Sequence, residues 1–132
     1  MFTTLDVKTS KPIELIDLTS QVQTLIDQNK IEKGVCFLFV PHTTAGLTIN
    51  ENTDPDVVRD ILFTLDKLVP LEDGYKHWEG NSSAHIKATL FGSSETVIVD
   101  RGKLVLGQWQ GIYFCEFDGP RNRKLQVKLI VG

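Results

Sequence analysis

At 132 residues the chain is long enough for one domain of ordinary size. With 41% hydrophobic and 23% charged residues, the composition points to a packed core and argues against disorder. The formal net charge of −3 argues against bulk electrostatic binding to nucleic acid or to an anionic membrane, though a local basic patch stays open.

Residues 2–8 and 11–17 read as two strands joined by a short polar turn near Ser10. Thr19-Ser20 opens a short helix that ends at Asn29-Lys30. Ser20 with Gln23 fits a capping box, and Val22, Leu25 and Ile26 form the apolar face. Residues 34–41, GVCFLFVP, are a continuous apolar run that suits a central strand. GLTINE then alternates as a strand with one polar face.

Asp54-Pro55 is a strong helix start, with Asp at the N-cap and Pro at the first helical position. Val57, Val58, Ile61, Leu62, Leu65, Leu68 and Val69 follow at helical spacing up to Pro70. Residues 71–83 read as irregular, and 85–90 as a short helix. Strands are predicted at 95–100, 103–106, 111–118 and 123–131. In the last of these Leu125, Val127, Leu129 and Val131 share one face.

No repeat, linker or low-complexity tract divides the chain, so residues 1–132 are read as a single domain. Many antiparallel strands with two or three helices define an α+β class. MFTTLDVKTS has no apolar signal core, and no run approaches transmembrane length. The expectation is a cytoplasmic protein without membrane or nucleic-acid partners. Cys36 and Cys115 lie in apolar runs and read as buried free thiols.

All three histidines stand beside small or hydroxyl residues: His42 in VPHTTAG, His77 and His85 in HWEGNSSAH. Small neighbours leave room for a ligand, and imidazole binds transition metals or moves protons near neutral pH. Separate surface histidines are the plainer alternative. The His77–His85 spacing is not that of a helical zinc motif, so any shared site must be built by the fold. Tyr75 and Trp78 read as cover for the core. Asp54 reads as the helix cap and Glu51 stays open as an orienting or metal-binding group.

Gly107 and Gly111 flank Gln108-Trp109-Gln110 and permit close backbone approach. Ile112, Phe114, Glu116 and Asp118 share a strand face by alternation. Burial there would raise the Glu116 pKa and suit it to acid–base or metal chemistry. A salt bridge to Arg121 or Arg123 is the equal alternative. These arginines, with Arg101, suit bidentate hold on a phosphate. No P-loop, GxGxxG, CxxC or GxSxG is present.

The ordered set PHTTAGLTINEN, DPDVVRDI, YKHWEGNSSAHIKATLFGSS and GKLVLGQWQGIYFCEFDGPRNRKLQV resembles the YjbQ-like family. This is also called the secondary thiamine-phosphate synthase family, formerly an uncharacterised-protein family, and the likeness spans the whole chain. It implies a compact α+β fold with a sandwich-like, mostly antiparallel β core, a homotrimer, and a pocket near subunit contacts holding His42, His77 and His85. It also implies thiamine-phosphate synthase activity, which joins hydroxymethylpyrimidine diphosphate to thiazole phosphate and releases pyrophosphate. The expected roles are catalytic for His42, His85 and Glu116, and substrate-binding for Asn50, Trp109 and Arg121. His42, His77 and His85 are the expected metal ligands.

Three histidines suit zinc or another transition metal, whereas a synthase would use magnesium, which prefers oxygen ligands. The alternatives are therefore a metal-dependent hydrolase or lyase acting on a small phosphorylated metabolite, or a non-catalytic trimeric protein that binds a metal or anion.

Overall fold

The computed structural model describes all 132 residues. The chain folds as eight strands and three helices: β1 (Phe2–Lys8), β2 (Glu14–Asp17), α1 (Thr19–Gln28), β3 (Gly34–Phe39), β4 (Ala45–Glu51), α2 (Pro55–Leu68), α3 (Ser82–Phe91), β5 (Ser94–Asp100), β6 (Lys103–Leu104), β7 (Gln110–Glu116) and β8 (Asn122–Val131). A five-stranded sheet has the order β1-β8-β3-β5-β6, and a three-stranded sheet the order β2-β7-β4. Every pairing is antiparallel. β1 and β2 adjoin in sequence but enter different sheets, so the turn at Ser10 carries the chain from one layer to the other.

The alternation of β7 sets the layers. Ile112 and Phe114 point into the main core, with Cys36 and Leu38 of β3, Leu47 of β4 and Leu125, Val127 and Leu129 of β8. Tyr113, Cys115 and Phe117 point the other way, against Leu65 of α2 and Ala84 and Ala88 of α3. The order is therefore sheet, sheet, helices, and α1 joins the main core through Val22 and Ile26. Val131 ends the apolar row of β8 exposed, because the strand runs past its core there.

The N-cap of α2 forms as its sequence dictates: the Asp56 amide donates to Asp54 Oδ1 at 2.9 Å, with Pro55 in the first turn. The predicted Ser20–Gln23 capping box does not form. The helix opens one residue earlier, where the Thr19 amide and hydroxyl both donate to Asp17 Oδ1. Gln23 instead bonds the Gly102 carbonyl and the Leu104 amide, tying α1 to β6. α3 starts at Ser82, three residues before its predicted start. Trp78, expected to cover the core, is 88% exposed. No helix is long and apolar enough to cross a membrane.

Candidate functional site

The site forms where β3 leaves one sheet and β4 enters the other. The Val40 amide donates to the Ser93 carbonyl at 2.8 Å, which fixes the end of β3 and projects Pro41-His42-Thr43-Thr44 as a bridge between the sheets. Gly46 lies so close to α3's end that a Cβ there would stand 2.7 Å from the Gly92 carbonyl oxygen. That closeness lets the Leu47 amide bond the same carbonyl at 3.0 Å. α3 is thereby held beside the bridge with His85 facing the same space.

A cavity of about 430 Å³ results. His42, Thr43 and Thr44 form one side, and His77, Glu79, Asn81 and His85 another. Arg121 and Arg123 complete it, and no hydrophobic side chain lines it. The His77 and His85 rings meet edge to face, with centroids 5.3 Å apart. His42 lines the same cavity as a separate part of its wall.

His42 is constrained by the backbone. The Lys124 amide donates to its Nε2 at 2.9 Å. A neutral imidazole that accepts at Nε2 carries its proton on Nδ1. Burial lowers its pKa, and the positive charge of Arg123 lowers it further. His42 thus presents an N–H donor.

Glu116 is fully buried in the layer beneath. It accepts from Arg123 Nε at 2.9 Å and Nη2 at 2.5 Å, from Thr9 Oγ1 at 2.7 Å, and from the Asp118 amide at 3.1 Å. Burial alone would push its pKa up, as the sequence led us to expect. The hydrogen bonds and charge of Arg123, with those of Asp118 and Thr9, outweigh burial and hold it below the usual value. Glu116 is therefore an anion at neutral pH that orients Arg123, and the salt-bridge alternative is the one realised. Arg123 Nη2 also donates to Thr44 Oγ1 at 2.8 Å, fixing the bridge from below.

Arg121 is held by Asp118, through Nε to the carbonyl at 2.7 Å and Nη2 to Oδ2 at 3.0 Å. Asn81, at the N-cap of α3, donates to the same Oδ2 at 2.9 Å. Its own Oδ1 is buried without a partner. Asn81 makes no side-chain cap for α3; its backbone carbonyl accepts from the Ala84 amide at 3.1 Å.

Asn50 and Trp109 lie elsewhere. Asn50 pairs with Gly111 at the far end of β4 and bonds the Glu51 amide, and Trp109 is 58% exposed. Five residues of strand separate Asn50 from Ala45, or about 17 Å. Within the chain they do not join the histidine cavity.

Within this chain His42, His77 and His85 do not present a ready set of metal donors. No three His, Cys, Asp or Glu side chains stand together as a ligand set. His42's only lone-pair nitrogen is engaged by Lys124. Magnesium fares no better, since Glu79 is the sole carboxylate lining the cavity. The sequence does not single out Asn81, and offers Arg123 as a salt-bridge partner of Glu116 or a holder of phosphate. Arg123 was readable, because it falls in phase with Leu125, Val127 and Leu129 on the buried face of β8.

Such a structure defines a two-sheet α+β protein with a polar, histidine- and arginine-lined cavity at the sheet junction. The chain matches the family model described as "UPF0047 protein YjbQ-like" over residues 3–132, and belongs to that family. It is 49% identical over 131 residues to the UPF0047 protein YugU of Bacillus subtilis, covering 98% of this chain and 99% of that protein. It is 51% identical over 124 residues to a UPF0047 protein of Methanocaldococcus jannaschii, covering 94% and 90%. A solved structure of an uncharacterised conserved YjbQ/UPF0047 protein from Clostridium acetobutylicum superposes with a TM-score of 0.94 at 56% identity, covering 97% and 99%. A YjbQ-like protein of unknown function from Sulfolobus solfataricus gives a TM-score of 0.94 at 34% identity, covering 100% and 97%.

Proposed function

We propose that the cavity binds the phosphate or pyrophosphate group of a small metabolite, and that the protein is an enzyme acting on that metabolite. The donor set carries this reading. His42 offers Nδ1–H, and Arg121 keeps guanidinium donors beyond those Asp118 uses. Each arginine is already paired with a carboxylate behind the wall, so recognition rests on positioned donors more than on excess charge.

The synthase reaction expected from the family resemblance suits such a cavity. Its pyrophosphate leaves with the bonding electron pair as the thiazole nitrogen takes the pyrimidine methylene carbon, and donors that bind the departing anion lower the barrier. His42 and His85 are the candidate catalytic residues, with Arg121 on the anion. Glu116 acts as a positioning residue through Arg123. The metal-dependent hydrolase reading draws less support, because His42 has no lone pair free for a metal. Calorimetry with pyrophosphate, with and without chelator, tests this reading. Binding that survives chelation and weakens at least tenfold in Arg121→Ala is expected. No binding by the wild-type chain would overturn it.

Assembly as a homotrimer draws support from the outer face of the five-stranded sheet. Phe37, Phe39, Ile98 and Ile130 are exposed there, with Ile98 and Ile130 flanking Val35 in register. A light-scattering mass near three times the 14.8 kDa chain is expected, and a monomeric mass would exclude it.

A further inference from the structure

A second cavity, of about 400 Å³, shares His42, Thr43 and His85 with the first. It extends in the other direction, over Thr89, Gly92 and Ser93 at the end of α3. Both cavities fall at the small end of the ~300–1,000 Å³ range of ligand pockets. The two cavities adjoin at His42, Thr43 and His85.

The two lobes differ in chemistry. The first carries both arginines. The second has no Lys, Arg, Asp or Glu, and its only apolar lining is Ala45 and Ala88. A lobe without cations gives an anion little hold, and one without carboxylates gives a cation little. Hydroxyls remain. Those of Thr43 and Ser93 belong to exposed residues at the rim. The Thr89 hydroxyl donates to the His85 carbonyl at 2.8 Å, leaving its lone pairs to accept. The lobe is also held firmly. Its floor is the α3–β5 connection, whose Gly92 and Ser93 carbonyls are bonded to Leu47 of β4 and to Val40 at the end of β3.

The geometry points to a bipartite ligand: a phosphomonoester or diphosphate ester whose organic part is small, uncharged and rich in hydrogen-bonding groups. Its phosphate lies in the arginine lobe and its organic part beside Thr89 and Ser93. The ester linkage then falls between His42 and His85. This inference rests on the anion reading above and adds the class of the organic group.

Ser93 is the residue to change, because it is exposed and lies outside the anion lobe. Inorganic phosphate, ribose 5-phosphate, pyridoxine 5′-phosphate and butyl phosphate are titrated into the full chain and into Ser93→Leu, which fills the second lobe. At least one of the two polar esters should bind wild type at least tenfold more tightly than inorganic phosphate, and butyl phosphate should not. Ser93→Leu should abolish that gain while leaving inorganic phosphate affinity within twofold. If phosphate binds but neither polar ester gains, or the gain survives Ser93→Leu, or butyl phosphate gains equally, the bipartite assignment falls and the anion reading stands. If inorganic phosphate itself does not bind, both fall. A thermal melt of Ser93→Leu matching wild type confirms that the variant is folded.

Discussion

The backbone amide of Lys124 donates to Nε2 of His42 at 2.9 Å, so a strand amide selects the tautomer of a candidate catalytic histidine. The relation spans the fold, because Lys124 lies on β8 and His42 in the bridge between the sheets. Nitrogen-15 NMR of the imidazole should find His42 neutral at pH 7 with its proton on Nδ1. A proton on Nε2 would break the donor assignment.

The same histidine predicts a pH dependence. Its folded pKa lies below the ordinary 6.5. Between those two values the unfolded chain binds more protons than the folded one, so stability falls as pH drops through that window. In His42→Asn this part of the slope should vanish. Urea denaturation at a series of pH values reads the difference, and an unchanged slope would contradict it.

Glu116→Ala leaves Arg123 buried without its counter-ion, since both are 5% exposed or less. The expected loss is about 3–5 kcal/mol in chemical denaturation. Glu116 has a depressed pKa, so its contribution is present above the usual carboxylate value near 4.5 and is lost as pH falls through its folded value. A loss below about 1 kcal/mol, the scale of an exposed ion pair, would show that the pair is not buried as described.

Asn50→Ala and Trp109→Phe should leave pyrophosphate affinity within twofold of wild type, because both residues sit at the opposite end of the three-stranded sheet from the cavity. Arg121→Ala is the contrasting variant, expected to lose at least tenfold. If Trp109→Phe also weakened binding tenfold, the site would have to draw that residue from another copy of the chain.

Cys36 and Cys115 are both fully buried. Burial pushes the Cys36 thiol up to about 11 and raises Cys115 further. Neither should react with an aromatic disulfide reagent in the native state, and both should react in denaturant. Rapid native labelling of either would contradict the placement of β3 or β7.

Where side chains alternate strongly, the fold was legible. The runs at β3, β5, β7 and β8 and the Asp54-Pro55 start of α2 appear within a few residues of where they were read. α3 was shorter in the reading than in the molecule. The residues it buries are Ser83, Ala84, Lys87 and Ala88, which carry no apolar stripe, so periodicity could not find its first turn. The site was half legible. The segments holding His42, His77 and His85 were marked by small neighbours. The hydrogen bond that commits His42 Nε2 spans 82 positions and leaves no local trace. Asn50 and Trp109 lie away from the cavity within the chain for a similar reason: proximity to His42 or Glu116 along a strand's sequence becomes distance when the strand is extended.

The Glu116–Arg123 pair joins β7 of the small sheet to β8 of the large one, and Thr9 and Thr44 are bonded into it from two further segments. Three stretches of chain remote in sequence, at Thr9, at Thr44 and across the β7–β8 connection, thus share one fastening below the cavity. The floor of the cavity therefore has no independent breathing mode. In hydrogen exchange, the amides of Thr9, Phe117 and Arg121, bonded around that fastening, should open only with the whole domain, while those of residues 71–79 exchange freely above them.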